Sequence, residues 1–270
     1  MFRFMMKKSF CDAWDNLVSV IITNVLCVFS LVGFLWLLTA MANKFQNDWI
    51  LFGIIIVASM FISILIFAFG DSCAKMANFD SVKIVDYFKA IPHCIKDGAL
   101  FGLMNSAVGI GSYIAVCQYW SEQFLTRYSL WGVFLGAVVL WIDFFYFLSI
   151  QWFLPIRSLM HNNFKKCLKK SFIIFFDNTG FSLLMFLYDL LLTVISVIAV
   201  GFIPSFGGIL VAKTNALRLR LYKYDYLDAH PELQSRRQRR KIPWEELLYD
   251  DKELLGPRKL KSFLFPWKED

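Results

Sequence analysis

Residues 181–226 read FSLLMFLYDLLLTVISVIAVGFIPSFGGILVAKTNALRLRLYKYDY, and this stretch decides the fold. Its first part is apolar over about twenty residues, the length of a helix that crosses a bilayer. A break with Pro204, Gly207 and Gly208 follows, and the segment then becomes polar and basic. Because Lys and Arg collect on the cytoplasmic side of membrane proteins, the course of this basic segment sets the topology of the chain.

The composition is that of a polytopic membrane protein. Apolar residues make up 58% of the 270 residues, above the share in soluble domains, and they lie in long runs. We therefore predict an all-α, polytopic transmembrane helix bundle over residues 1–226, followed by a basic tail over 227–270. Of the 28 Lys and Arg, 14 lie from Lys213 onward, and a basic segment beside a membrane domain indicates anionic lipid rather than nucleic acid.

The sequence carries no pattern typical of an enzyme or a metal site. Its six cysteines stand singly and its three histidines lie far apart, so we expect free thiols, no bound metal and no cofactor. Nucleotide-binding loops, nucleophile elbows and H-E-x-x-H motifs are absent from the sequence. A non-enzymatic role is therefore predicted, and a membrane enzyme is a third hypothesis behind the two described below.

Five apolar segments predict five membrane spans, at about residues 17–41, 49–70, 98–120, 129–154 and from 181 onward. Two charged segments with one apolar face, one after the second span and one after the fourth, predict amphipathic helices at the membrane surface. We expect Pro92 to end the first of these helices and Pro155 to end the fourth span. Small residues at Gly98, Gly102 and Ser106 predict that the third span packs closely against its neighbours.

The loops carry an asymmetric charge that orients the bundle. Alternate loops hold 12 Lys and Arg on one side of the membrane against 2 on the other. The N-terminus and both amphipathic helices are therefore expected in the cytoplasm, with the spans in a cell inner membrane. The basic residues predicted to face the anionic inner leaflet are Lys165, Lys166, Lys169, Lys170, Arg236, Arg237, Arg239, Arg240 and Lys241.

This orientation conflicts with five spans, which would leave the basic tail outside. In one reading the chain turns at residues 203–208 and re-crosses as a short polar sixth helix over about 209–226, whose polar side chains face the protein interior. In the other reading the tail stays outside, because long segments translocate with little regard to charge. Within the tail, the residues after Pro243 predict a short amphipathic helix that ends at Gly256-Pro257. The aromatic and basic stretch 260–268 that follows suits docking against the inner membrane face or the bundle's own loops, and a partner-binding helix is the alternative.

Ionisable residues inside the spans are the strongest functional pointers, because a charge near the bilayer centre costs several kcal/mol unless it is satisfied. The rise of a helix puts Asp143 of the fourth span, Asp189 of the fifth and Arg218 of the sixth helix at similar depths. We therefore predict one intramembrane polar cluster, made of Asp143, Asp189, Lys213, Asn215 and Arg218. It is either an internal ion pair that holds the sixth helix in place or a proton or substrate path. The uncharged polar residues predicted to form interhelical hydrogen bonds are Asn24, Asn105, Gln118 and Gln151.

Over its fourth to sixth spans the chain resembles the YesL-like family of small bacterial integral membrane proteins of unknown function. The similar features are the span end Trp152-Phe153-Leu154-Pro155, a basic helix closing at Lys169-Lys170-Ser171, a turn with Asn178, and the break of Phe202, Ile203, Pro204, Gly207 and Gly208. The resemblance covers about residues 10–222 and implies a bacterial origin and an association with carbohydrate ABC-transport systems. The long basic tail departs from the shorter ends usual in that family, and no catalytic residue carries over.

Two functions are consistent with these patterns. The first is an accessory or scaffold protein of a membrane transport system, with components of an ABC transporter as partners. The alternative is a small solute or proton-coupled transporter or channel, which would use Asp143, Asp189 and Arg218 as its intramembrane charges.

Overall fold

The computed structural model describes residues 1–45, 47–128, 130–232 and 242–258. Within these ranges the chain forms twelve helices and no strand, which confirms the all-α prediction. The helices are α1 Phe2–Asp15, α2 Leu17–Lys44, α3 Asp48–Ala77, α4 Ile84–Tyr119, α5 Glu122–Tyr128, α6 Leu130–Ile150, α7 Phe153–Met160, α8 Phe164–Asp177, α9 Thr179–Ile198, α10 Ser205–Ala229, α11 Trp244–Leu247 and α12 Tyr249–Leu255.

Five of the described helices are long and apolar enough to cross a membrane, so the protein is a multi-pass membrane protein. They are α2, α3, α4, α6 with its continuation in α7, and α9. Of the most apolar 18-residue window in each, no more than 28% is buried inside the protein. The remaining apolar surface is therefore suited to lipid rather than to water.

The most extensive helix contact joins α3 and α4, where the predicted small residues lie. A Cβ atom added at Gly98 would stand 2.8 Å from the Cα of Ile64, and one added at Gly102 would stand 2.5 Å from the Cα of Met60. Ser59 uses this close approach to donate a hydrogen bond of 2.9 Å to the carbonyl of Gly102. The predicted close packing of this span is confirmed.

Two of the predicted helix ends are wrong. α4 runs without interruption through Pro92, so the first amphipathic segment and the third span are one helix. Packing outweighs the lost hydrogen bond there, because Tyr87, in the turns before the proline, is 2% exposed and its ring contacts that of Phe69. Pro155 lies in the first turn of α7, where amide groups have no acceptor within the helix and the missing one costs nothing.

α9 and α10 form an antiparallel hairpin. Near the turn, the amide of Ser205 donates a hydrogen bond to the hydroxyl of Ser196, and at the far end the Tyr224 hydroxyl donates one of 2.7 Å to Asp177. α10 therefore returns beside α9, as the sixth-helix reading requires. It is polar, and α1, α2, α3, α7 and α9 all pack against it, so its polar side chains are sheltered by protein.

Asn24 of α2 fixes the turn of this hairpin. Its side-chain amide donates hydrogen bonds to the carbonyls of Phe202 at 2.7 Å and Pro204 at 2.9 Å. Its side-chain oxygen accepts one from the amide of Gly207 at 2.7 Å. Asn24 is fully buried, and it is the hydrogen-bond partner of three backbone groups of the turn, of which the carbonyl of Pro204 also accepts from the amide of Gly208.

The N-terminal helix and the tail meet on α10. Asn215 donates a hydrogen bond of 2.7 Å to Asp12 of α1, and Arg218 donates to both carboxylate oxygens of Asp251 in α12, at 2.9 and 3.1 Å. The tail helix predicted after Pro243 is thus confirmed, divided into α11 and α12, and it docks on the bundle. Residues 242–258 lie on the same side of the bundle as α1.

Candidate functional site

The residues of the predicted polar cluster lie in separate places in the structure. Lys213 and Asp189 form an ion pair between α10 and α9, with 3.0 Å between Nζ and Oδ2. Asp143 instead accepts a hydrogen bond of 2.7 Å from Ser112 of α4, and Arg218 pairs with the tail. Asn215 lies apart as well, against α1. The structure therefore brings together only Asp189 and Lys213 of the predicted cluster. The prediction of one shared cluster is wrong for Asp143, Asn215 and Arg218.

Helix geometry explains why Arg218 leaves the cluster. It follows Lys213 by five residues, which at about 100° per residue turns it by about 140° around α10. Lys213 therefore faces α9, whereas Arg218 faces the tail. Asn215 lies on a third side, where it reaches Ser9 and Asp12 of α1. Similar depth along a helix does not bring side chains together when they point in different directions.

A cavity of about 670 Å³ lies where the α9–α10 hairpin crosses the main bundle. The ion pair of Asp189 and Lys213 lies in its wall, together with Asn105 and Gln151. The other lining side chains are almost all apolar and come from α3, α4, α6, α7, α9 and α10. We call this the hairpin cavity. Its size is within the range of ligand sites in proteins.

Two buried acceptors in the wall of the hairpin cavity have no hydrogen-bond donor among the described residues. One is Oδ1 of Asp189, a residue that is 8% exposed, and the other is the side-chain oxygen of Gln151. The amide nitrogen of Gln151 is satisfied, since it donates to the carbonyls of Leu148 and Ser182. Unpaired buried acceptors cost free energy unless something else in the cavity donates to them.

A second cavity of about 600 Å³ lies between α2, α3 and α4, and it shares Asn105 with the hairpin cavity. Its wall includes Asp48, the first residue of α3. Asn105 accepts a hydrogen bond of 2.9 Å from the hydroxyl of Tyr146 and donates to the carbonyl of Phe101. Its hydrogen-bonded side chain thus stands between the two cavities.

At the other side of α10, Lys8 and Asp12 form a buried ion pair within α1. Lys8 is 1% exposed, its Nζ lies 2.9 Å from Oδ2 of Asp12, and it stacks on the ring of Phe79 at 3.6 Å. Burial lowers the pKa of Lys8 and raises the pKa of Asp12, and each shift is opposed by the charge of the partner. Asn215 supplies the further hydrogen bond that a buried carboxylate needs.

A basic cavity lies beside the start of α8. Arg157 is held there by Asp71 and Asp97, with nitrogen–oxygen distances of 3.3 and 3.1 Å. Lys165 and Lys166, two of the residues predicted to face anionic lipid, line this cavity, as do Lys96 and His161. Lys169 and Lys170 follow on the same helix and do not line it. The predicted tail residues Arg236, Arg237, Arg239, Arg240 and Lys241 lie outside the described residues, as does the stretch 260–268.

Three of the four predicted hydrogen-bonding amides reach other helices or the hairpin turn. Asn24 binds that turn, Asn105 is bonded to Tyr146 of α6, and Gln151 donates to the start of α9. Gln118 is exposed.

Sequence reasoning missed the ion pairs of α1 and of the tail. The i and i+4 spacing of Lys8 and Asp12 is typical of a helical ion pair and was available as a signal. Nothing local in the sequence joins Asp251 to Arg218, because 33 residues separate them.

Comparison of the chain with models of protein families, with curated proteins and with solved structures finds no match. The resemblance to the YesL-like family therefore stays a prediction.

Proposed function

We propose that the protein is a non-enzymatic accessory or scaffold protein of a membrane transport system, with components of an ABC transporter of the carbohydrate-uptake type as partners. In this proposal the protein lies in a bacterial inner membrane, with its N-terminus and its tail in the cytoplasm. The basic residues of α8 and of the tail bind the anionic lipids of the inner leaflet.

The observation that carries the proposal is the use of Arg218. Arg218, which the transporter alternative assigns to an intramembrane path, instead forms a bidentate pair that fixes α12 to α10. Arg258, next to α12, forms a second, exposed ion pair with Asp15 of α1 through a single nitrogen–oxygen contact. These contacts support a folded platform of α1, α10 and α12, and an ordered surface at one end of a membrane bundle is what a docking partner requires.

Co-purification tests the proposal. The full chain, isolated in mild detergent after reversible crosslinking in cells, is expected to retain a permease or ATPase subunit of a transporter. The variant Asp251→Asn, which undocks the tail, is expected to lose that subunit, and Asp250→Asn, which changes an exposed neighbour, is expected to keep it. Equal recovery of transporter subunits from both variants would contradict the platform as the docking surface.

A second function, that of a small transporter, is favoured by one specific observation. The hairpin cavity and the cavity beside Asp48 share Asn105, so together they lie along much of the length of the bundle. In this reading the ion pair of Asp189 and Lys213 binds the solute or the coupling proton. Purified protein in vesicles would then take up a solute or protons, and Asn105→Leu would stop the uptake. For the accessory function we expect no flux in the same vesicles with a panel of sugars and ions.

A further inference from the structure

The wall of the hairpin cavity is apolar except for Ser63, Thr193 and one short polar strip. Phe67, Phe101 and Phe186 supply much of the apolar surface, and the strip consists of Asp189 and Lys213 with Gln151 and Asn105 close to it in the wall. A cavity of this kind matches a molecule with a long apolar part and a compact polar end. It does not match a sugar or a free ion, whose surfaces are polar throughout.

The cavity reaches the lipid-facing surface of the protein. Leu190 of α9 and Phe147 of α6 both line it, and they are 47% and 53% exposed. Around Leu190 the outer face of α9 is a continuous apolar surface that includes Leu187, Leu191 and Val194. α6 and α9 touch over only a short stretch, so the hydrocarbon chain of a membrane lipid has a way in from the side.

The polar strip specifies the head of the ligand. Oδ1 of Asp189 and the side-chain oxygen of Gln151 need donors. A primary ammonium would donate, but it would stand beside the charged Lys213, and like charges repel strongly away from water. A hydroxyl group avoids this cost, because it can donate to Asp189 and accept from Lys213 in the same position.

We propose that the hairpin cavity binds a neutral membrane lipid whose head carries hydroxyl groups, with the hydroxyls on Asp189 and Gln151 and the chain against the phenylalanines. The lipid completes the hydrogen bonding of the polar strip and fills the space between the hairpin and the bundle. The proposal does not depend on the accessory function, because it concerns binding and not docking or flux.

The test uses three photoactivatable probes with the same acyl chain, presented to the purified full-length protein in vesicles. They are a monoacylglycerol, whose head is a diol, the corresponding alkyl amine, and a methyl ester that has no donor. Crosslinked peptides are identified by mass spectrometry. We expect the diol to label the peptides of α6 and α9 that line the cavity at least about fivefold more than the ester, the ratio for one net hydrogen bond.

The variant D189L/K213M removes the polar strip without leaving a lone charge, since replacing both partners of a buried pair by apolar residues usually preserves folding. It is expected to reduce the preference for the diol over the ester, because Gln151 is then the acceptor that remains for the hydroxyls. Asp143→Asn, which neutralises the carboxylate bonded to Ser112, is the control and keeps the preference for the diol. Equal labelling by diol and ester in the unmodified protein, stronger labelling by the amine, or a preference that D189L/K213M leaves undiminished would each overturn the proposal.

Discussion

Replacing Asp251 by Asn is expected to release the tail helix from the bundle. Asp251 is 3% exposed and accepts hydrogen bonds from Arg218 at 2.9 and 3.1 Å and from Tyr222 at 3.3 Å. Asn keeps the shape of the side chain but leaves the guanidinium of Arg218 without a counter-ion, where it is 15% exposed. Removal of one partner of a buried pair costs about 3–5 kcal/mol, and the residual exposure and the remaining amide oxygen favour the lower value, about 3 kcal/mol.

Hydrogen exchange in α12 measures this loss. The amides of Lys252 and Gly256 are hydrogen-bonded within the last turns of the tail, and a helix of seven residues is not stable in water without packing. Their exchange therefore reports undocking. A loss of about 3 kcal/mol corresponds to exchange that is about a hundredfold faster at these amides. The exchange rate in α12 reaches its limit when the tail is fully detached, because the guanidinium of Arg218 is then hydrated and its burial costs nothing further.

The matched control is Asp250→Asn, which removes the same charge from the exposed neighbouring residue. We expect its exchange in α12 to stay within a factor of about two of the unmodified protein, as is usual for surface changes. If both variants accelerated exchange equally, net charge and not the ion pair would hold the tail. If Asp251→Asn left the exchange unchanged, the docking of α12 on α10 would be refuted.

Three further outcomes follow from the packing. Asn24→Ala is expected to lower the unfolding free energy in detergent by about 2 kcal/mol or more, because it leaves the carbonyl of Phe202 and the amide of Gly207 without their partner; a change under about 1 kcal/mol would contradict its role in the turn. Gly102→Ala is expected to cost about 1–3 kcal/mol by pushing α3 and α4 apart, whereas Gly109→Ala, whose Cβ meets nothing within 4 Å, is expected to be neutral or stabilising. A cysteine at exposed Glu253 is expected to react with an impermeant maleimide only from the cytoplasmic side of the membrane, because an even number of crossings returns the tail to the side of the N-terminus. A cysteine at exposed Glu122, which follows three crossings, is expected to react only from the opposite side.

The labelling experiment needs one background change. Most native thiols are buried, and burial raises the pKa of Cys167 to about 11, so at pH 8 about one molecule in a thousand carries the reactive thiolate. Cys117 is exposed and is replaced by Ser. Labelling of Glu253→Cys from the outside would support the five-span reading with an external tail, and it would place the tail and α1 on opposite sides, in conflict with the pairing of Arg258 and Asp15.

The spans were predictable because hydrophobic length is a local property. Runs of apolar residues located all five long helices, and small residues at Gly98 and Gly102 identified the closest contact. Prolines were less informative, since their effect depends on where they stand in a helix: Pro155 is harmless in a first turn, and packing keeps the helix intact around Pro92.

The candidate site was only half predictable, because depth and direction along a helix are local properties, whereas the neighbour that each face of the helix meets is not. Asp189 and Lys213 were expected together and lie together. The partner of Arg218 was not foreseeable, because α12 is brought to it by the folding of the tail. The hairpin cavity was not foreseeable either, since its wall comes from six helices that are distant in sequence.

The contacts of α1 have a consequence for the order of events during synthesis. Asp12 lies 203 residues from Asn215, and Asp15 lies 243 residues from Arg258. At about 5–20 residues per second, the first helix waits about 10–40 s for α10 to leave the ribosome. During that time Asp12 lacks the hydrogen bond from Asn215, and Asp15 lacks its partner Arg258. The earliest part of the chain to be made is therefore among the last to find its place.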